Sequence, residues 1–574
     1  MLLSNLDLLA TAPGGVARLR ELILTLAVQG KLVPQDPADE PAGELLKKIR
    51  AEKDRLIAEG KIRRDKPLAA IAEGEKPLGL PVGWEWVRLG ALLPFRIGKT
   101  PPSKDPQYWA DSGHAWVSIS DMNHFGEVFE TGRKITDRGA GVFGYDLLPS
   151  GTLIMSFKLT IGKISVLRVP AYHNEAIVSF TPLSGLDSGF LKYMLPTVAK
   201  TGASKDALMG ATLNTESLSN LVIALPPHSE QSRIVTRVEM LMRLCDALEA
   251  KGRLEAAQHT QLVSTLLGTL TASTTPEELA ANWQRVAQHF DLLAGRPEAI
   301  AALEQTLLQL AVRGLLVPQD PTDEPASVLL ARIRTEKDRL IAKGKIKRDK
   351  PLPPITDEEK PFELPMGWEW VRFDELTHPQ KPIAYGVLVP GPDVATGVPF
   401  VRIADLSLVN PPEKPEKTIS PEVDAQFQRT RLEGGEILMG VVGSIGKLGV
   451  APKSWAGANI ARAICRIVPA DAGLHDFVLF LLETKFMQES FAGDTRTLAQ
   501  PTLNVGLIRA AMTPMPPPAE QARIVTRVTV LRRLCANLRQ RLAEREAVQA
   551  RLAEALVANN AQTSTQQEDE CHAA

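Results

Sequence analysis

A stretch of 43 residues that occurs twice decides the organisation of this chain. Residues 26–68 read LAVQGKLVPQDPADEPAGELLKKIRAEKDRLIAEGKIRRDKPL, and residues 310–352 read LAVRGLLVPQDPTDEPASVLLARIRTEKDRLIAKGKIKRDKPL. Ten of the 43 positions differ and 33 are identical, at a constant offset of 284 residues. The repeat extends to GWEWVR at residues 83–88 and 367–372. A period this long is not that of a solenoid, so the chain consists of two copies of one half.

A second repeated block closes each half, EQSRIVTRV at residues 230–238 and EQARIVTRV at residues 520–528. Between the repeated blocks lie two diverged segments, residues 89–224 and 373–515, which we call insert 1 and insert 2. A protein that keeps its scaffold while its inserts change is expected to read two different targets. Short anchors survive in both inserts: WVSISD (116–121) against FVRIAD (400–405), IGK (161–163) against IGK (445–447), and TLN (212–214) against TLN (502–504).

Composition places the chain among ordinary globular proteins. Its 574 residues predict about three to five structural units, and 44% of them are hydrophobic. With 66 Lys and Arg against 67 Asp and Glu, the net charge of −1 does not by itself indicate nucleic acid or an anionic membrane as a partner. Four widely spaced cysteines form neither a disulfide framework nor a metal motif, which favours a reducing, cytoplasmic compartment. We expect neither a signal peptide nor a membrane-spanning helix.

Each half ends in a predicted long helix of about 40 residues, or ~60 Å. Apolar residues recur at spacings of 3 and 4 after the prolines at 226–227 and 516–518, which is typical of a coiled-coil seam. The matching register in both copies favours pairing of the two helices with each other, although a helix packed on its own domain is the alternative. The seam residues are Ile234, Val238, Leu241, Cys245 and Leu248 in the first helix, and Ile524, Val528, Leu531, Cys535 and Leu538 in the second.

The remaining pattern predicts helical scaffolds and mixed inserts. Helices are predicted at residues 16–28, 42–59, 276–293, 297–312 and 326–343, several of them with Pro at the start and Gly after the end. Within the inserts, short apolar runs at 151–157, 163–169 and 436–442 are bounded by Gly and Pro and predict strands, so the inserts are α+β domains. The polar tail from Ala561 is predicted to be disordered.

Sequence motifs of intrinsic catalysis are missing. Gly98-Lys99-Thr100 ends like a P-loop, but Leu93 stands where the first glycine is required. Asn410-Pro411-Pro412 resembles the start of an amino-methyltransferase motif, but Glu413 replaces the aromatic residue that would stack on a flipped base. We therefore predict no catalytic, cofactor-binding or metal-binding residue in this chain.

The doubled order of scaffold, insert and long helix resembles the specificity (S) subunit of type I restriction–modification enzymes. The block from LAVxGxLVPQDP to GWEWVR looks like a conserved region of that family, and PP…EQxRIVxRV looks like the start of its spacer helices. The resemblance implies an α+β protein with an internal pseudo-twofold duplication, in which two long helices pair as an antiparallel coiled coil between two target recognition domains. The implied regions are scaffold 1–82, recognition domain 83–225, spacer helix and second scaffold 226–366, recognition domain 367–516, distal spacer helix 517–560 and a disordered tail 561–574.

The resemblance also implies partners. Each recognition domain would read one half of a bipartite, asymmetric site in double-stranded DNA. Two methyltransferase (M) subunits would methylate adenine, and motor-nuclease (R) subunits would complete the enzyme. S-adenosylmethionine, ATP and Mg would then belong to those partners. A different class of protein, a coiled-coil adaptor whose inserts bind other proteins, is the competing hypothesis.

The overall charge of the inserts does not favour DNA. Residues 96–225 carry 12 basic and 11 acidic residues, and residues 376–515 carry 13 of each, so any positive face must be local. The strongly basic segments, 47–66 and 332–350, lie in the scaffold and would meet phosphate or M subunits unless they are only solvated helix faces.

We nevertheless predict DNA contacts at the anchors and loops of the inserts. Arg402 and Ser118 are equivalent positions that differ in chemistry, as expected of two base readers, and Arg can donate two hydrogen bonds to guanine. Lys163 and Lys447 are equivalent and identical, which favours shared phosphate contacts. The candidates are Lys99, Thr100, Ser103, Ser118, Ser120, Asp121, Lys158 and Lys163 in insert 1, and Tyr385, Gly386, Arg402, Asp405, Ser444, Lys447, Asn459 and Arg462 in insert 2.

Overall fold

The computed structural model forms two compact units, one made of Met1–Glu255 with Glu546–Ala574 and the other of Ala256–Arg545. Each unit combines one copy of the scaffold, one insert and parts of both long helices. The predicted boundaries at residues 82 and 366 do not separate compact units, because scaffold and insert share one hydrophobic core. The structure describes residues 6–62, 64, 67–76, 79–158, 160–205, 214–273, 275–348, 350–493 and 502–571.

The first scaffold copy is helical, as predicted. Pro41 precedes its third helix, and Gly30 and Gly60 end the second and third helices in the left-handed conformation, with φ of 69° and 70°. Leu45 and Ile49 on the third helix are buried and face the core. The helices are α1 (Leu6–Thr11), α2 (Gly15–Val28) and α3 (Ala42–Ala58).

Insert 1 and its flanks contain short strands and helices, which confirms the predicted α+β class. The strands are β1 (Glu85–Arg88), β2 (Phe95–Ile97), β3 (Trp109–Ala110), β4 (His114–Val117), β5 (Gly126–Val128), β6 (Arg133–Ile135), β7 (Leu153–Ser156), β8 (Ile164–Leu167), β9 (Ala171–His173), β10 (Ile177–Phe180) and β11 (Val222–Leu225). The helices are α4 (Leu89–Leu92), α5 (Asp137–Ala140), α6 (Ser188–Lys205) and α7 (Thr215–Asn220).

The described strands of unit 1 form three sheets. Strand β1 pairs antiparallel with β11, so the two ends of insert 1 leave the scaffold side by side. A five-stranded sheet has the order β2-β10-β7-β8-β5, and a four-stranded sheet has the order β3-β6-β4-β9, in which β4 and β9 are parallel. Met155 and Phe157, in and just after β7, belong to the same buried core as Leu19 of α2 and Leu45 of α3. Insert 1 is therefore anchored to its scaffold through apolar burial.

Unit 2 repeats this plan. The helices that follow insert 1 are α8 (His228–Ala272), α9 (Pro276–Gln288), α10 (Phe290–Leu293), α11 (Pro297–Val312) and α12 (Ala326–Ala342). The strands are β12 (Glu369–Arg372), β13 (Ala384–Tyr385), β14 (Val398–Val401), β15 (Lys417–Ile419), β16 (Ile437–Gly440), β17 (Leu448–Val450), β18 (Asn459–Ile460), β19 (Ile464–Ile467) and β20 (Met512–Met515). The later helices are α13 (Pro421–Gln426), α14 (His475–Glu483), α15 (Lys485–Gly493), α16 (Val505–Ala510) and α17 (Pro518–Cys571).

The sheets of unit 2 match those of unit 1 with fewer strands. Strand β12 pairs with β20, and a four-stranded sheet has the order β13-β19-β16-β17. A three-stranded sheet has the order β15-β14-β18, in which β14 and β18 are parallel, as β4 and β9 are in unit 1. The two inserts therefore share a fold although their sequences have diverged.

The long helices α8 and α17 contain 45 and 54 residues and run in opposite directions. In unit 1, Ala553 near the end of α17 shares a core with Cys245 in the first part of α8. In unit 2, Cys535 near the start of α17 shares a core with Leu267 near the end of α8. The predicted antiparallel pairing is confirmed. Helix α17 continues to Cys571, so the predicted disorder is wrong for residues 561–571, where the helix meets neither Pro nor Gly; residues 572–574 lie outside the described residues.

A third helix completes the seam in each unit, which the heptad pattern did not predict. Arg20 of α2 forms ion pairs with Asp246 (2.7 Å) and Glu249 (3.4 Å) of α8, and Arg532 of α17 pairs with Glu304 (3.4 Å) of α11. The ten predicted seam residues are all buried or partly buried in cores of the chain itself. The apolar stripe therefore packs inside the chain, and contact of the seam with an M subunit stays a prediction.

Within each unit, the repeated blocks bind one another. Glu230, in the first turn of α8, is 1% exposed and accepts hydrogen bonds from Trp84 Nε1 (2.9 Å) and Gln35 Nε2 (3.1 Å). In unit 2, Glu520 in the first turn of α17 accepts hydrogen bonds from Trp368 Nε1 (2.9 Å) and Gln319 Nε2 (2.7 Å). Burial raises the pKa of both glutamates. The VPQDP, GWEW and EQxR blocks thus form one buried joint in each unit.

Candidate nucleic-acid interface

Four segments of insert 1 meet at one end of the domain, which we call edge 1: residues 98–100, 117–121, 157–163 without 159, and 173–177. They follow strands β2, β4, β7 and β9, and turns and loops there leave backbone groups to bond between segments. The hydrogen bonds that join them are Gly98 N to Ile177 O (3.2 Å), Lys99 N to His173 O (3.0 Å), Asn174 N to Val117 O (3.0 Å), Phe157 N to Ala176 O (3.0 Å) and Lys163 Nζ to Ile119 O (2.9 Å).

The same arrangement recurs in insert 2 as edge 2: residues 386–388, 401–405, 441–447 and 460–464. Each of these five bonds has a counterpart between equivalent residues, at offsets of 284 to 288. The counterparts are Gly386 N to Ile464 O (3.3 Å), Val387 N to Ile460 O (2.8 Å), Ala461 N to Val401 O (2.9 Å), Val441 N to Ala463 O (2.8 Å) and Lys447 Nζ to Ile403 O (2.8 Å). The two edges are one scaffold with different side chains.

Glycine is required at one position of each edge. A Cβ atom on Gly98 would lie 2.0 Å from His173 O, and a Cβ atom on Gly386 would lie 1.8 Å from Ile460 O. Both distances are far below van der Waals contact, so only glycine lets the loop approach the neighbouring strand. Gly386, predicted as a DNA contact, therefore has a structural reason to be present.

Two acidic residues of the WVSISD and FVRIAD anchors shape the turn that follows β4 or β14. Asp121 Oδ2 accepts from the backbone N of Ser118 (2.8 Å) and from its hydroxyl (2.7 Å), while the Ser118 and Ser120 hydroxyls lie 2.7 Å apart. Asp405 Oδ2 accepts from the backbone N of Arg402 (2.7 Å) and is 7% exposed. Both carboxylates cap the turn, a role that competes with contacting DNA.

Arg402 is partly neutralised by its neighbours. Its guanidinium lies 3.4 Å from Asp405 and 3.3 Å from Glu416, and about a third of the side chain remains exposed. The hydrogen bond with Asp405 is the main cause that raises the pKa of Arg402. The two carboxylates orient the guanidinium and offset part of its charge.

Other predicted contacts have identified partners within their own insert. Lys99 Nζ donates to Val142 O (2.9 Å), and the Thr100 hydroxyl donates to the carboxylate of Glu175. Lys158 Nζ lies 5.4 Å from the centre of the Phe157 ring. The exposed members of the predicted set are Lys99, Ser103, Ser120, Ser444, Lys447 and Arg462.

Two predicted contacts in insert 2 belong to its interior framework. Asn459 is fully buried, donates to Asp424 Oδ1 (2.9 Å) and accepts from the Thr430 hydroxyl (2.8 Å). The prediction that Asn459 contacts DNA is wrong, because its polar atoms are used within the core. Tyr385 Oη donates to Leu503 O (2.9 Å) and accepts from Val505 N (2.6 Å), so its polar group holds that loop.

Glu175 is an exposed residue of edge 1 that the sequence-based prediction missed. It lies in the turn between β9 and β10, and its equivalent in insert 2 is Arg462, at an offset of 287. Aligning residues 171–177 with 458–464 would have revealed the pair. The prediction included Arg462 in insert 2 but not its counterpart in insert 1, because this turn has diverged between the halves.

The first part of the basic scaffold segment 332–350 is paired with acidic residues. Arg334 pairs with Glu375 (2.7 Å), Lys337 with Asp374 (3.6 Å), and Arg339 with Glu336 (2.6 Å). Such exposed pairs reduce the positive potential that the composition of this segment predicts.

Comparison with known proteins identifies the chain's relatives. Residues 81–259 match the family described as "Type I restriction modification DNA specificity domain". The chain is 34% identical over 576 residues to the type I restriction enzyme EcoEI specificity subunit of Escherichia coli, covering 94% of this chain and 93% of that protein. It is 35% identical over 569 residues to the EcoAI specificity subunit of the same organism, with the same coverage.

The solved structures matched by the chain include one from a study titled "Structural basis underlying complex assembly and conformational transition of the type I R-M system". It has a TM-score of 0.46 and 19% identity, and the match covers 84% of this chain and 99% of that one. The HsdS subunit from Thermoanaerobacter tengcongensis has a TM-score of 0.36 and 19% identity, covering 85% and 98%.

The duplicated α+β inserts, the antiparallel long helices and the matched family together define a DNA specificity protein of a restriction–modification system. The chain belongs to the family of type I restriction enzyme specificity subunits. The resemblance noted in its sequence is thereby confirmed. Among the described residues, no cluster of three or more His, Cys, Asp or Glu side chains is suited to hold a metal ion, and none of the helices combines the length and apolarity needed to cross a bilayer.

Proposed function

We propose that this chain reads DNA for a type I restriction–modification complex, with edge 1 reading one half of a bipartite, asymmetric site and edge 2 reading the other. The observation that supports this best is the pair of edges. Five hydrogen bonds repeat between equivalent residues, while the exposed side chains differ, as expected when one framework presents two different recognition surfaces. The competing adaptor hypothesis is not favoured by the relatives.

The proposed contacts divide by chemistry. Lys158, Lys163 and Lys447 would meet phosphate, since lysine contributes a charge without reading sequence. The exposed polar side chains that differ between the edges would enter the major groove, where every base pair is distinguishable. A small number of cations on each edge provides this local attraction although each insert is neutral overall.

Catalysis is assigned to partner subunits in this proposal. Two M subunits would use S-adenosylmethionine to methylate adenine, and R subunits would use ATP and Mg to translocate and cleave DNA. This chain would then be a non-catalytic subunit that directs them to the site. Because the substrate is DNA within the cell, we propose that the complex is cytoplasmic.

A pair of glycine substitutions tests the proposal in the complex with M subunits. Gly98→Ala adds a Cβ that collides with the backbone at His173, whereas Gly144→Ala, also in insert 1, places a Cβ where no atom lies within 4 Å. In a gel shift with excess non-specific competitor, the wild-type and Gly144→Ala complexes should bind the cognate duplex, and Gly98→Ala should lose most specific binding. A wild-type complex that leaves every duplex unshifted would support the adaptor hypothesis instead.

A further inference from the structure

The two edges differ in the sign of charge at one matched position. Glu175 of insert 1 and Arg462 of insert 2 are equivalent and exposed, and the turns that carry them are fixed by equivalent backbone hydrogen bonds. We propose that Glu175 and Arg462 are specificity-determining residues, Glu175 accepting from the exocyclic amine of a cytosine and Arg462 donating to a guanine. This inference rests on the proposed DNA-reading function and assigns a base to one position of each half-site.

The turn of Glu175 is held rigidly. Asn174 N donates to Val117 O (3.0 Å), Ala176 N donates to Asn174 Oδ1 (3.1 Å), and Ala176 O accepts from Phe157 N (3.0 Å). These bonds tie the residues on both sides of Glu175 to β4 and β7. The side chain of Glu175 points outward from a fixed backbone, and the hydroxyl of Thr100 orients its carboxylate. Such pre-organisation is what a base-reading contact requires.

Arg462 lies on an equally rigid turn. Ala461 N donates to Val401 O (2.9 Å), Arg462 N donates to Val387 O (2.9 Å), and Ala463 O accepts from Val441 N (2.8 Å). The exposed guanidinium therefore starts from a backbone position that corresponds to that of Glu175. Thr100, whose hydroxyl orients the carboxylate of Glu175, is replaced by Leu388 at the equivalent position of insert 2. The hydroxyl that would orient a carboxylate is therefore absent where the residue is Arg462.

Charge explains why Glu175 indicates base reading. An exposed carboxylate next to a duplex is repelled by the phosphates, so it is favourable only where it accepts a hydrogen bond from a base. In the major groove, cytosine N4 is a donor that pairs with Asp or Glu, whereas guanine O6 and N7 accept a bidentate contact from Arg. Lys99 and Lys158 on the same edge offset the repulsion.

The neighbouring residues are less suited to this role. Asp121 and Asp405 cap turns, and Lys163 and Lys447 are identical in both edges, so they do not distinguish two half-sites. Arg402 differs from Ser118, but its guanidinium is shared with Asp405 and Glu416. Glu175 and Arg462 are thus the equivalent pair that is exposed, opposite in charge and carried by a fixed turn.

The test compares the sites methylated by the complete complex carrying wild-type, Glu175→Gln or Arg462→Gln chains. The matched controls are Glu130→Gln and Lys453→Gln, which change exposed residues beyond the opposite ends of the β5–β8 pair and the β16–β17 hairpin. Methylation of a library of duplexes is sequenced, and thermal unfolding checks that each variant is folded. Glu175→Asp keeps the charge on a shorter side chain and provides a second variant at the same position.

We expect Glu175→Gln to reduce the preference for cytosine at one position of one half-site by about 10- to 100-fold, and Glu175→Asp to reduce it less. Arg462→Gln should have the same effect on guanine in the other half, while both controls keep the wild-type sequence. Unchanged sequences in folded Glu175→Gln and Arg462→Gln complexes overturn the inference, as does an equal loss of binding to all sequences. If the wild-type complex itself methylates no defined sequence, the proposed function fails rather than this assignment.

Discussion

Lys163 and Lys447 are the lysines that both edges keep, and in each the ammonium donates to a backbone carbonyl, Ile119 O or Ile403 O. The bond joins the β7–β8 or β16–β17 hairpin to the turn after β4 or β14. An ammonium has three donors, so two remain for solvent or phosphate. One side chain can thus fix the edge and contribute a sequence-independent contact.

Lys447→Met keeps the stem of the side chain and removes the charge. We expect binding of the M-containing complex to weaken by a similar factor for specific and non-specific duplexes, and the slope of log affinity against log salt to fall by about one. Lys453→Met, an exposed lysine beyond the other end of the hairpin, should leave both quantities unchanged. The measurement is a salt series of gel shifts, and a change of preferred sequence in Lys447→Met would contradict the phosphate role.

At the residue scale, sequence comparison of the two halves predicted where the edges are but not what each side chain does there. Shared residues such as Gly98 and Gly386, or Asp121 and Asp405, hold the framework in place. Asn459 was predicted as a contact, yet it lies in β18 and is fully buried. Whether a side chain points inward depends on the pairing of β14 with β18, which joins residues about 60 apart in sequence and has no local signal.

At the scale of elements, apolar periodicity and the Pro and Gly residues at helix ends predicted the scaffold helices closely. The predicted helix at 297–312 is α11, and the one at 42–59 ends one residue earlier as α3. The strands predicted at 151–157 and 163–169 are β7 and β8. The pattern could not predict the third helix in each seam. Helix α2 is about 200 residues before the start of α8, and α11 is about 200 residues before the start of α17, so no local repeat links their apolar faces.

The buried seam predicts that two substitutions on helix α8 differ strongly in their effect on stability. Val238 is fully buried, whereas Leu244 is 40% exposed. Val238→Asp should destabilise unit 1 by ~3 kcal/mol or more, because apolar burial is lost and a charge is left without a partner. Leu244→Asp should change stability by less than ~0.5 kcal/mol. Thermal unfolding followed by circular dichroism measures both, and equal losses in the two variants would show that the stripe is not buried as described.

The buried glutamates at the starts of α8 and α17 predict a pH effect. Burial raises the pKa of Glu230 above its value in the unfolded chain, ~4.3. The folded state therefore binds the proton more tightly, so this contribution to stability is present at low pH and is lost as the pH rises through the folded pKa. Glu230→Gln cannot titrate, and the wild type should lose stability relative to it as the pH rises above about 4. Thermal midpoints of the two proteins over that range provide the measurement; a constant difference would contradict the prediction.

At the scale of the whole molecule, each insert forms part of a compact unit with its scaffold and is not an independent domain. Phe157 and Leu191 of insert 1 belong to the same core as Leu19 and Ile49 of the scaffold. Insert 2 repeats this with Phe477 and Phe491 in a core that includes Leu330 of α12. An exchange of inserts must therefore keep the residues that face the scaffold, while the exposed side chains of the edges can change.

This architecture predicts that recognition follows the insert and not its place in the chain. Replacing residues 373–515 with residues 89–225, which are insert 1 together with Leu225, the counterpart of Met515, gives a chain with two copies of insert 1. Because the flanking blocks are nearly identical in both copies, the second unit should accept the exchanged insert and its β1–β11 type of pairing. The control for folding is a second doubled chain. It keeps the apolar residues of insert 2 at the positions that contact the scaffold.

The most direct test of the account is the DNA sequence methylated by the complex that contains this doubled chain. We predict a site composed of the insert 1 half-sequence twice, with the half-sequence of insert 2 lost. A folded, assembled complex that still methylates the original asymmetric site, or that recognises a sequence found in neither half, would contradict the claim that each edge reads its own half-site.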